Sequence, residues 1–173
     1  MYGMNKSDLR LMPHDPAWVD DFAAEKTRIE SAVENIFLTI EHIGSTSIPT
    51  VCAKPILDLA ILCQPENLKR LIENLTGIGY EFRGEFDEKC EHYYAVLDKE
   101  NIRYCQAHIY TEANEDWRLK LKFRDALSQN IKLAREYNDY KQDLAQRVSN
   151  KKEYAEIKSK WVDTFVLKVL KKN

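Results

Sequence analysis

The sequence predicts an α+β fold, in which a mixed β-sheet carries packed helices and is followed by a helical C-terminal portion. Two observations predict the sheet: an apolar run over Pro55–Cys63, typical of a strand buried on both faces, and three later strand-like segments. A third predicts the helical portion, because apolar residues recur three and four positions apart from Asn114 onward. With 173 residues, the chain is expected to form a single domain over 1–173, with a sheet core at about 13–112 and a helical part at about 113–173.

The first half of the chain alternates helices with strands. A helix is predicted to start after Asp15 as its N-cap, with Pro16 in the first helical position and Glu25 among its solvated residues. The segment "FLTIEHI" then predicts a strand, and the apolar run that follows it predicts another. The segment "PENLKRLIENLTGIG" predicts a second helix that ends at one of its glycines.

The second half continues the sheet and then becomes helical. "YEFRGEF", "EHYYAVLD" and "IRYCQAHIY" predict strands, and the turn "DKEN" between the last two predicts an antiparallel hairpin and therefore a mixed sheet. The basic residues of the last helical segment are interrupted by acidic ones. That pattern is typical of a solvated helix face rather than a nucleic-acid-binding stripe; among its lysines are Lys151 and Lys158.

Charge and cysteine usage limit the classes of partner. The 26 basic and 28 acidic residues leave a net charge of −2, which provides no global field to attract nucleic acid or a membrane. The apolar runs are too short to span a bilayer. The cysteines are widely spaced, no CxxC pair occurs, and no signal peptide is recognisable, so we predict reduced thiols and a cytoplasmic location rather than disulfides or a zinc site. The four are Cys52, Cys63, Cys90 and Cys105.

A small hydroxyl-rich turn, Gly44, Ser45, Thr46 and Ser47, follows the first predicted strand. Glycine allows backbone N–H groups to approach a ligand, and the short hydroxyls add hydrogen bonds, so the turn suits a phosphate. The alternative is a structural turn in which a hydroxyl caps a helix.

Asp58 lies inside the apolar strand that follows this turn. An ionised carboxylate in such a strand is costly unless it is paired, hydrogen-bonded or bound to a metal. A strand-borne carboxylate facing a phosphate-binding turn commonly holds magnesium against a nucleotide, so Asp58 is the candidate catalytic and metal-binding residue. Lys54 either neutralises a phosphate or pairs with Asp58.

The stretch "EHIGSTSIPTVCAKPILDLAIL" resembles the central motif of the GrpB family, within the nucleotidyltransferase superfamily of the DNA polymerase beta type. "FRDALSQNIKLAREYNDYKQDLA", "GYEFRGE" and "QAHIY" resemble further segments of that family. The resemblance therefore covers nearly the whole chain, over about 13–161.

The resemblance implies a nucleotidyltransferase-like fold with Gly44 and Ser45 at the phosphates of a ligand. It also places Asp58 at the first metal-binding carboxylate and implies Mg²⁺ or Mn²⁺ as cofactor. However, Ala60 stands where the superfamily usually has its second carboxylate. Two-metal chemistry holds ions about 3.5–4 Å apart and needs enough negative charge to do so, which one Asp is not expected to supply.

Further candidates follow from the resemblance. Gln106 and His108 stand on the strand where a third carboxylate is expected, and their spacing directs both to one face. His108 is the candidate second metal ligand, and Gln106, where the family commonly has His, is a candidate ligand-binding residue. Arg124 matches a family position on a helix, where it either clamps a phosphate or is solvated.

His42 and Glu85 complete the set of candidate ligand-binding residues. Strand alternation directs Glu41 and His42 to opposite faces, and His42 is predicted to face the pocket. Glu85, beside Gly84, either supplies a missing ligand or is a solvated strand end.

Two hypotheses of function remain open. The first is a nucleotidyltransferase-superfamily protein that binds a nucleotide or a small phosphorylated molecule and transfers a nucleotidyl group with a divalent metal. The alternative is a non-catalytic, ligand-binding regulatory module with a degenerate metal site, which the absence of a carboxylate at Ala60 favours. The sequence identifies neither a substrate, an acceptor nor an oligomeric state.

Overall fold

The computed structural model describes residues 2–87 and 92–165, and these form a six-stranded mixed sheet with helices. This architecture confirms the predicted α+β class. The strands are β1 (Met4–Asn5), β2 (Thr39–Ile43), β3 (Leu57–Leu62), β4 (Tyr80–Asp87), β5 (His92–Lys99) and β6 (Ile102–Tyr110). The helices are α1 (Ala17–Ala32), α2 (Leu68–Gly77), α3 (Glu115–Gln129), α4 (Ile131–Arg147) and α5 (Lys151–Phe165).

The strand order is β2-β3-β6-β5-β4, with β1 pairing separately with β6. Strands β3 and β6 are parallel, whereas the other pairs are antiparallel. Strand β3 therefore has a neighbour on each side, as its apolar sequence predicted. The predicted hairpin joins β5 to β6, with Lys99 opposite Ile102. Strand β1 was not predicted, because two residues carry no readable periodicity.

Helix α1 begins at Ala17, and the Asp15 carboxylate accepts a hydrogen bond from the Ala17 N–H at 3.0 Å. The prediction that Glu25 is solvated was wrong, because this residue is only 5% exposed. Its carboxylate accepts hydrogen bonds from Arg28 Nε at 2.9 Å and from the Tyr80 hydroxyl at 2.7 Å. Helical spacing cannot reveal a partner that lies on a strand 55 positions later.

Replacing Glu25 with alanine is expected to lower the free energy of unfolding by about 2 kcal/mol, because Arg28 and the buried Tyr80 hydroxyl lose their partner. Urea denaturation followed by circular dichroism measures the change. Glu30→Ala is the matched control, since that carboxylate is 48% exposed and lies 3.9 Å from Lys26, and it should change stability by less than about 0.5 kcal/mol. Equal losses in the two variants would contradict the structural role of Glu25.

Helices cover both faces of the sheet. Helices α1 and α2 pack on one face through a core that includes Leu59, Leu71 and Ile109. Helix α3 contributes Trp117 to a smaller cluster on the other face, where its ring meets that of Tyr110 edge-on. A third cluster links the segment after the hydroxyl-rich turn to α3, α4 and α5. It contains Ile48, Val51, Leu127, Ala134, Tyr137 and Phe165.

Two further observations bear on cellular context. Among residues 2–87 and 92–165, no helix is long and apolar enough to cross a membrane. Cys52, Cys63 and Cys105 are buried free thiols, whereas Cys90 lies outside the described residues. The cytoplasmic location stays a prediction.

Candidate functional site

The hydroxyl-rich turn and Asp58 are in direct contact. Gly44 follows β2 with φ 72°, a conformation that favours glycine, and the register places Ile43 opposite Asp58. A Cβ atom at position 44 would lie 2.2 Å from Asp58 Oδ2. The next three residues, Ser45–Ser47, form a single 3-10 turn in which the Ser47 hydroxyl donates to the Gly44 carbonyl at 2.7 Å.

A short hydrogen-bonded chain fixes the Asp58 carboxylate. The parallel register places Gln106 beside Asp58, and the Gln106 amide nitrogen donates to Asp58 Oδ1 at 2.6 Å. The Tyr94 hydroxyl in turn donates to Gln106 Oε1 at 2.7 Å. Burial raises the pKa of Asp58 above its ordinary value, while the Gln106 hydrogen bond and the positive charges of Lys158 and Lys54 oppose that rise.

A cavity of about 160 Å³ adjoins this carboxylate. Its walls combine the hydroxyl-rich turn, the sheet and the helices α4 and α5. The polar residues that line it from strands and loops are Ser45, Thr46, Lys54, Asp58 and Gln106. Three more lysines line it from α4 and α5, namely Lys141, Lys151 and Lys158. Four lysines and one carboxylate therefore face one small space, which suits an anion.

Two of these lysines are held away from water. Lys141 is 2% exposed, donates a hydrogen bond to the Cys52 carbonyl, and lies 5.0 Å from the centroid of the Tyr137 ring. Lys54 Nζ lies 4.7 Å from the centroid of the Tyr154 ring. Burial, with a contribution from neighbouring lysines, lowers the pKa of Lys141 to about 7 and that of Lys54 to about 8.

One face of α5 contributes residues that were expected to be solvated. Lys151, Tyr154 and Lys158 all line the cavity, which corrects the expectation that these lysines are solvated. Lys152 and Lys160 on the same helix do point outward. The signal was present in the spacing, since residues three and seven positions after Lys151 lie on the same helix face. The Tyr154 hydroxyl is buried and has no hydrogen-bond partner among the residues that the structure describes.

His42 lies on the opposite face of β2 from Asp58. Its ring stacks on Phe22 with centroids 4.6 Å apart, and its Nε2 is 2.9 Å from the Thr46 hydroxyl. Burial, followed by the nearby charge of Arg124, lowers the pKa of His42 to about 4. This placement corrects the expectation that His42 faces the same pocket as Asp58. Strand alternation puts His42 on the face that carries α1, and its neighbour Glu41, on the Asp58 face, pairs with Arg124 and does not line the cavity.

Arg124 and Glu85 do not line the cavity. Arg124 Nη1 lies 2.7 Å from Glu41 Oε2 and also donates to the His42 carbonyl at 3.0 Å, so this arginine fixes the end of β2. Glu85 is exposed on β4, opposite Tyr93. Any part that either residue plays in ligand binding stays a prediction.

His108 lies opposite Ala60, on the same face as Gln106, and its Nδ1 is 2.7 Å from His92 Nε2. Burial holds the pKa of His108 well below its ordinary value. In the described part of the chain, no three His, Cys, Asp or Glu side chains are grouped so that they could hold a metal ion. The donor set does not fit a two-metal centre, because Ala60 offers no ligand and Gln106 directs an amide N–H at Asp58.

A larger open depression of about 850 Å³ lies elsewhere, between residues 9–14 and α4. Its lining includes Arg10 and His14 but no lysine and no carboxylate, so fewer charged groups converge on it. The smaller cavity is therefore the better candidate site, because convergent charge and hydrogen-bonding groups mark a binding site more specifically than volume does.

A family model described as GrpB protein matches residues 8–168. The glutamate-rich protein GrpB of Alkalihalophilus pseudofirmus is 32% identical over 171 residues, which cover 94% of this chain and 97% of that protein. UPF0157 protein PA4798 of Pseudomonas aeruginosa is 35% identical over 149 residues, or 84% of this chain. The chain spans 60% of the length of that relative and 46% of the length of UPF0157 protein YqkA of Bacillus subtilis.

Solved structures agree with this relationship. The crystal structure of the conserved protein GrpB from Enterococcus faecalis matches with a TM-score of 0.82 and 30% identity, over 94% of this chain and 98% of that chain. A crystal structure of the Cid1 poly(U) polymerase with MgGTP bound matches with a TM-score of 0.55 and 15% identity, over 78% of this chain and 44% of that chain. The second similarity concerns the fold alone. The chain thus belongs to the GrpB family and has a nucleotidyltransferase-like fold.

Proposed function

We propose that the protein binds a nucleotide or another small phosphorylated molecule, with the phosphate in the cavity beside Asp58. The observation that carries this proposal is the convergence of four lysines on a cavity with one carboxylate. Ammonium groups are common phosphate-binding groups in proteins, and partial burial strengthens their attraction for an anion.

The size and polarity of the cavity support a phosphate rather than a larger apolar group. Its volume of about 160 Å³ is below the range of about 300–1,000 Å³ that is usual for a drug-sized ligand. Only the charged end of a nucleotide would therefore enter it, and the nucleoside would lie outside. Ser45 and Tyr154 line the cavity, and the buried Tyr154 hydroxyl, which lacks a hydrogen-bond partner among the described residues, is a donor that would suit a phosphate oxygen.

We favour binding without two-metal chemistry, because no second carboxylate lines the cavity among the residues that the structure describes. Magnesium or manganese bound through Asp58 and ligand oxygens stays a proposal. Nucleotidyl transfer is the second candidate function. It is favoured by the contact of Asp58 with the Gly44 turn and by the fold shared with Cid1, a poly(U) polymerase solved with MgGTP bound.

A thermal-shift screen of nucleoside triphosphates and pyrophosphate, in EDTA and in Mg²⁺ or Mn²⁺, tests the binding proposal. A ligand at 100 times its dissociation constant should stabilise the protein by about 2.7 kcal/mol, and we expect stabilisation in EDTA. Lys158→Met should remove most of the shift. Lys152→Met, in which an 88% exposed lysine of the same helix is replaced, should leave it unchanged.

Two results would decide against the proposals. No shift with any phosphorylated ligand, or equal loss in the two lysine variants, would contradict binding in the cavity. Transfer is measured separately as metal-dependent pyrophosphate release from a nucleoside triphosphate. Release by the wild type that disappears in Asp58→Asn would support nucleotidyl transfer, and binding without any release would support the non-catalytic binding module.

A further inference from the structure

The side-chain amines of Lys54 and Lys141 have no carboxylate partner in the part of the chain that the structure describes. Neither forms an ion pair with an acidic side chain among residues 2–87 and 92–165. Lys141 Nζ instead meets the Cys52 carbonyl and the Tyr137 ring, and Lys54 Nζ faces the Tyr154 ring. A carbonyl and an aromatic face replace only part of the hydration that a free ammonium has in water.

The surrounding charges are mostly of the same sign. In addition to burial, the charges of Lys158 on α5 and of Lys54 lower the pKa of Lys141, whereas Cys52 and Asp58 raise it. Burial and the charges of Lys158 and Lys151 on α5 lower the pKa of Lys54, whereas Asp58 raises it. Asp58 is thus the only carboxylate among these groups. Among the described residues, positively charged groups at the cavity therefore outnumber negatively charged ones, and an anion would supply the missing countercharge.

We propose that Lys54 and Lys141 take up protons when an anion enters the cavity, and that the site therefore selects a di- or triphosphate group over a single phosphate. This inference rests on the proposed function. An anion with several charges can lie near Lys158, Lys54 and Lys141 together, whereas a single phosphate compensates fewer of them. The class of ligand is a compound with a terminal polyphosphate.

The protonation of Lys54 and Lys141 determines how the affinity for the anion changes with pH. In the free protein, Lys141 has a pKa of about 7 and Lys54 of about 8, so both lose protons between neutral and alkaline pH. A nearby anion raises both pKa values towards the ordinary lysine value, so the bound state holds more protons. Affinity should consequently fall as pH rises from 7 to 9. The uptake should be below one proton per anion at pH 7 and above one at pH 9.

Isothermal titration calorimetry with inorganic tripolyphosphate in EDTA measures this uptake. At pH 7 and again at pH 9, the binding enthalpy is compared in two buffers of different ionisation enthalpy. The Lys54→Arg/Lys141→Arg variant keeps both charges at every pH. We expect this variant to keep its fold, to bind tripolyphosphate, and to lose the proton uptake that Lys54 and Lys141 contribute. Ionisation of the anion itself is common to both proteins, so the difference between them isolates the lysines.

A neutral variant and a surface variant complete the design. Lys54→Met/Lys141→Met should bind tripolyphosphate at least tenfold more weakly than wild type and without the proton uptake of the two lysines. This variant keeps the test valid if the arginine side chains do not fit the site. Lys152→Arg should behave as wild type. Inorganic phosphate should bind wild type at least tenfold more weakly than tripolyphosphate.

The outcomes separate this inference from the proposed function. Tripolyphosphate binding with equal proton uptake in wild type and both double variants would overturn the inference and leave phosphate binding in place. Equal affinity for phosphate and tripolyphosphate would overturn the selection for several charges. Absence of binding by every phosphate anion would overturn the proposed function, and the inference with it.

Discussion

Gly44→Ala is expected to lower the free energy of unfolding by about 2–6 kcal/mol. Gly44 has φ 72° and ψ −171°, a backbone conformation that costs a residue with a Cβ about 1–3 kcal/mol, and the new Cβ would meet Asp58 Oδ2 at 2.2 Å. Displacing packed groups adds about 1–3 kcal/mol. Urea denaturation monitored by circular dichroism and by tryptophan fluorescence measures the loss.

Gly77→Ala is the matched control for this substitution. Gly77 is the last residue of α2, and a Cβ there would have no heavy atom within 4 Å. Alanine should leave stability unchanged or raise it by up to about 1 kcal/mol, because it has the higher helix propensity. If Gly44→Ala were as stable as Gly77→Ala, the contact between the turn and Asp58 would not exist in solution.

Asp58→Asn is expected to tighten the binding of tripolyphosphate in EDTA by about tenfold or more. The substitution removes the negative charge of the one carboxylate that lines the cavity in the described part of the chain. At an effective dielectric constant of about 20, such a charge is worth a few kcal/mol at close range. Asparagine keeps the oxygen that accepts the hydrogen bond from Gln106. Calorimetric titration of the variant and the wild type under identical conditions measures the effect.

The same variant should be more stable than wild type without ligand, and the difference should grow with pH. The folded-state pKa of Asp58 is raised by burial, so its protonation contributes stability that is present below the unfolded pKa of about 4 and is lost as pH rises through the folded pKa. Thermal denaturation at pH 4 and pH 8 tests this sign.

A metal-anchoring role predicts the opposite effect on binding. If Asp58 holds Mg²⁺ against the ligand, Asp58→Asn should weaken the Mg²⁺-dependent part of nucleotide stabilisation and leave binding in EDTA weak in both proteins. If Asp58→Asn binds the anion more weakly than wild type in EDTA, and Mg²⁺ changes the affinity of neither protein, both the charge argument and the metal-anchoring role are contradicted.

The contact between the Gly44 turn and Asp58 could be anticipated because it is local. Strand, turn and strand follow each other directly, and alternation along β3 sends Asp58 to the face opposite Leu57 and Leu59. The same alternation, combined with the pairing of β3 and β6, brings Gln106 beside Asp58. The choice between Glu41 and His42 could not be made, since alternation separates two neighbours without saying which face carries the site.

The lysine wall of the cavity could not be derived from local pattern. Lys151 and Lys158 line the same cavity as Asp58 because α5 packs against α4 and the segment after the hydroxyl-rich turn, in a cluster that contains Phe165, Tyr137 and Val51. Alternating charge on a helix is compatible with both a solvated and a partly buried face. The burial of Glu25 was missed for a related reason, because its partner Tyr80 comes from a distant strand.

Because α5 lies far along the chain from Asp58, the cavity is expected to form late in folding. Asp58 and Tyr154 are separated by nearly one hundred positions, so this wall forms only when a long loop of chain is closed. The sheet and its first two helices can pair and pack before that closure. Ligand binding should therefore report on the docking of α5, and a ligand that bridges Lys54 and Lys158 would suppress local opening of that helix, visible as slower amide hydrogen exchange over 151–165.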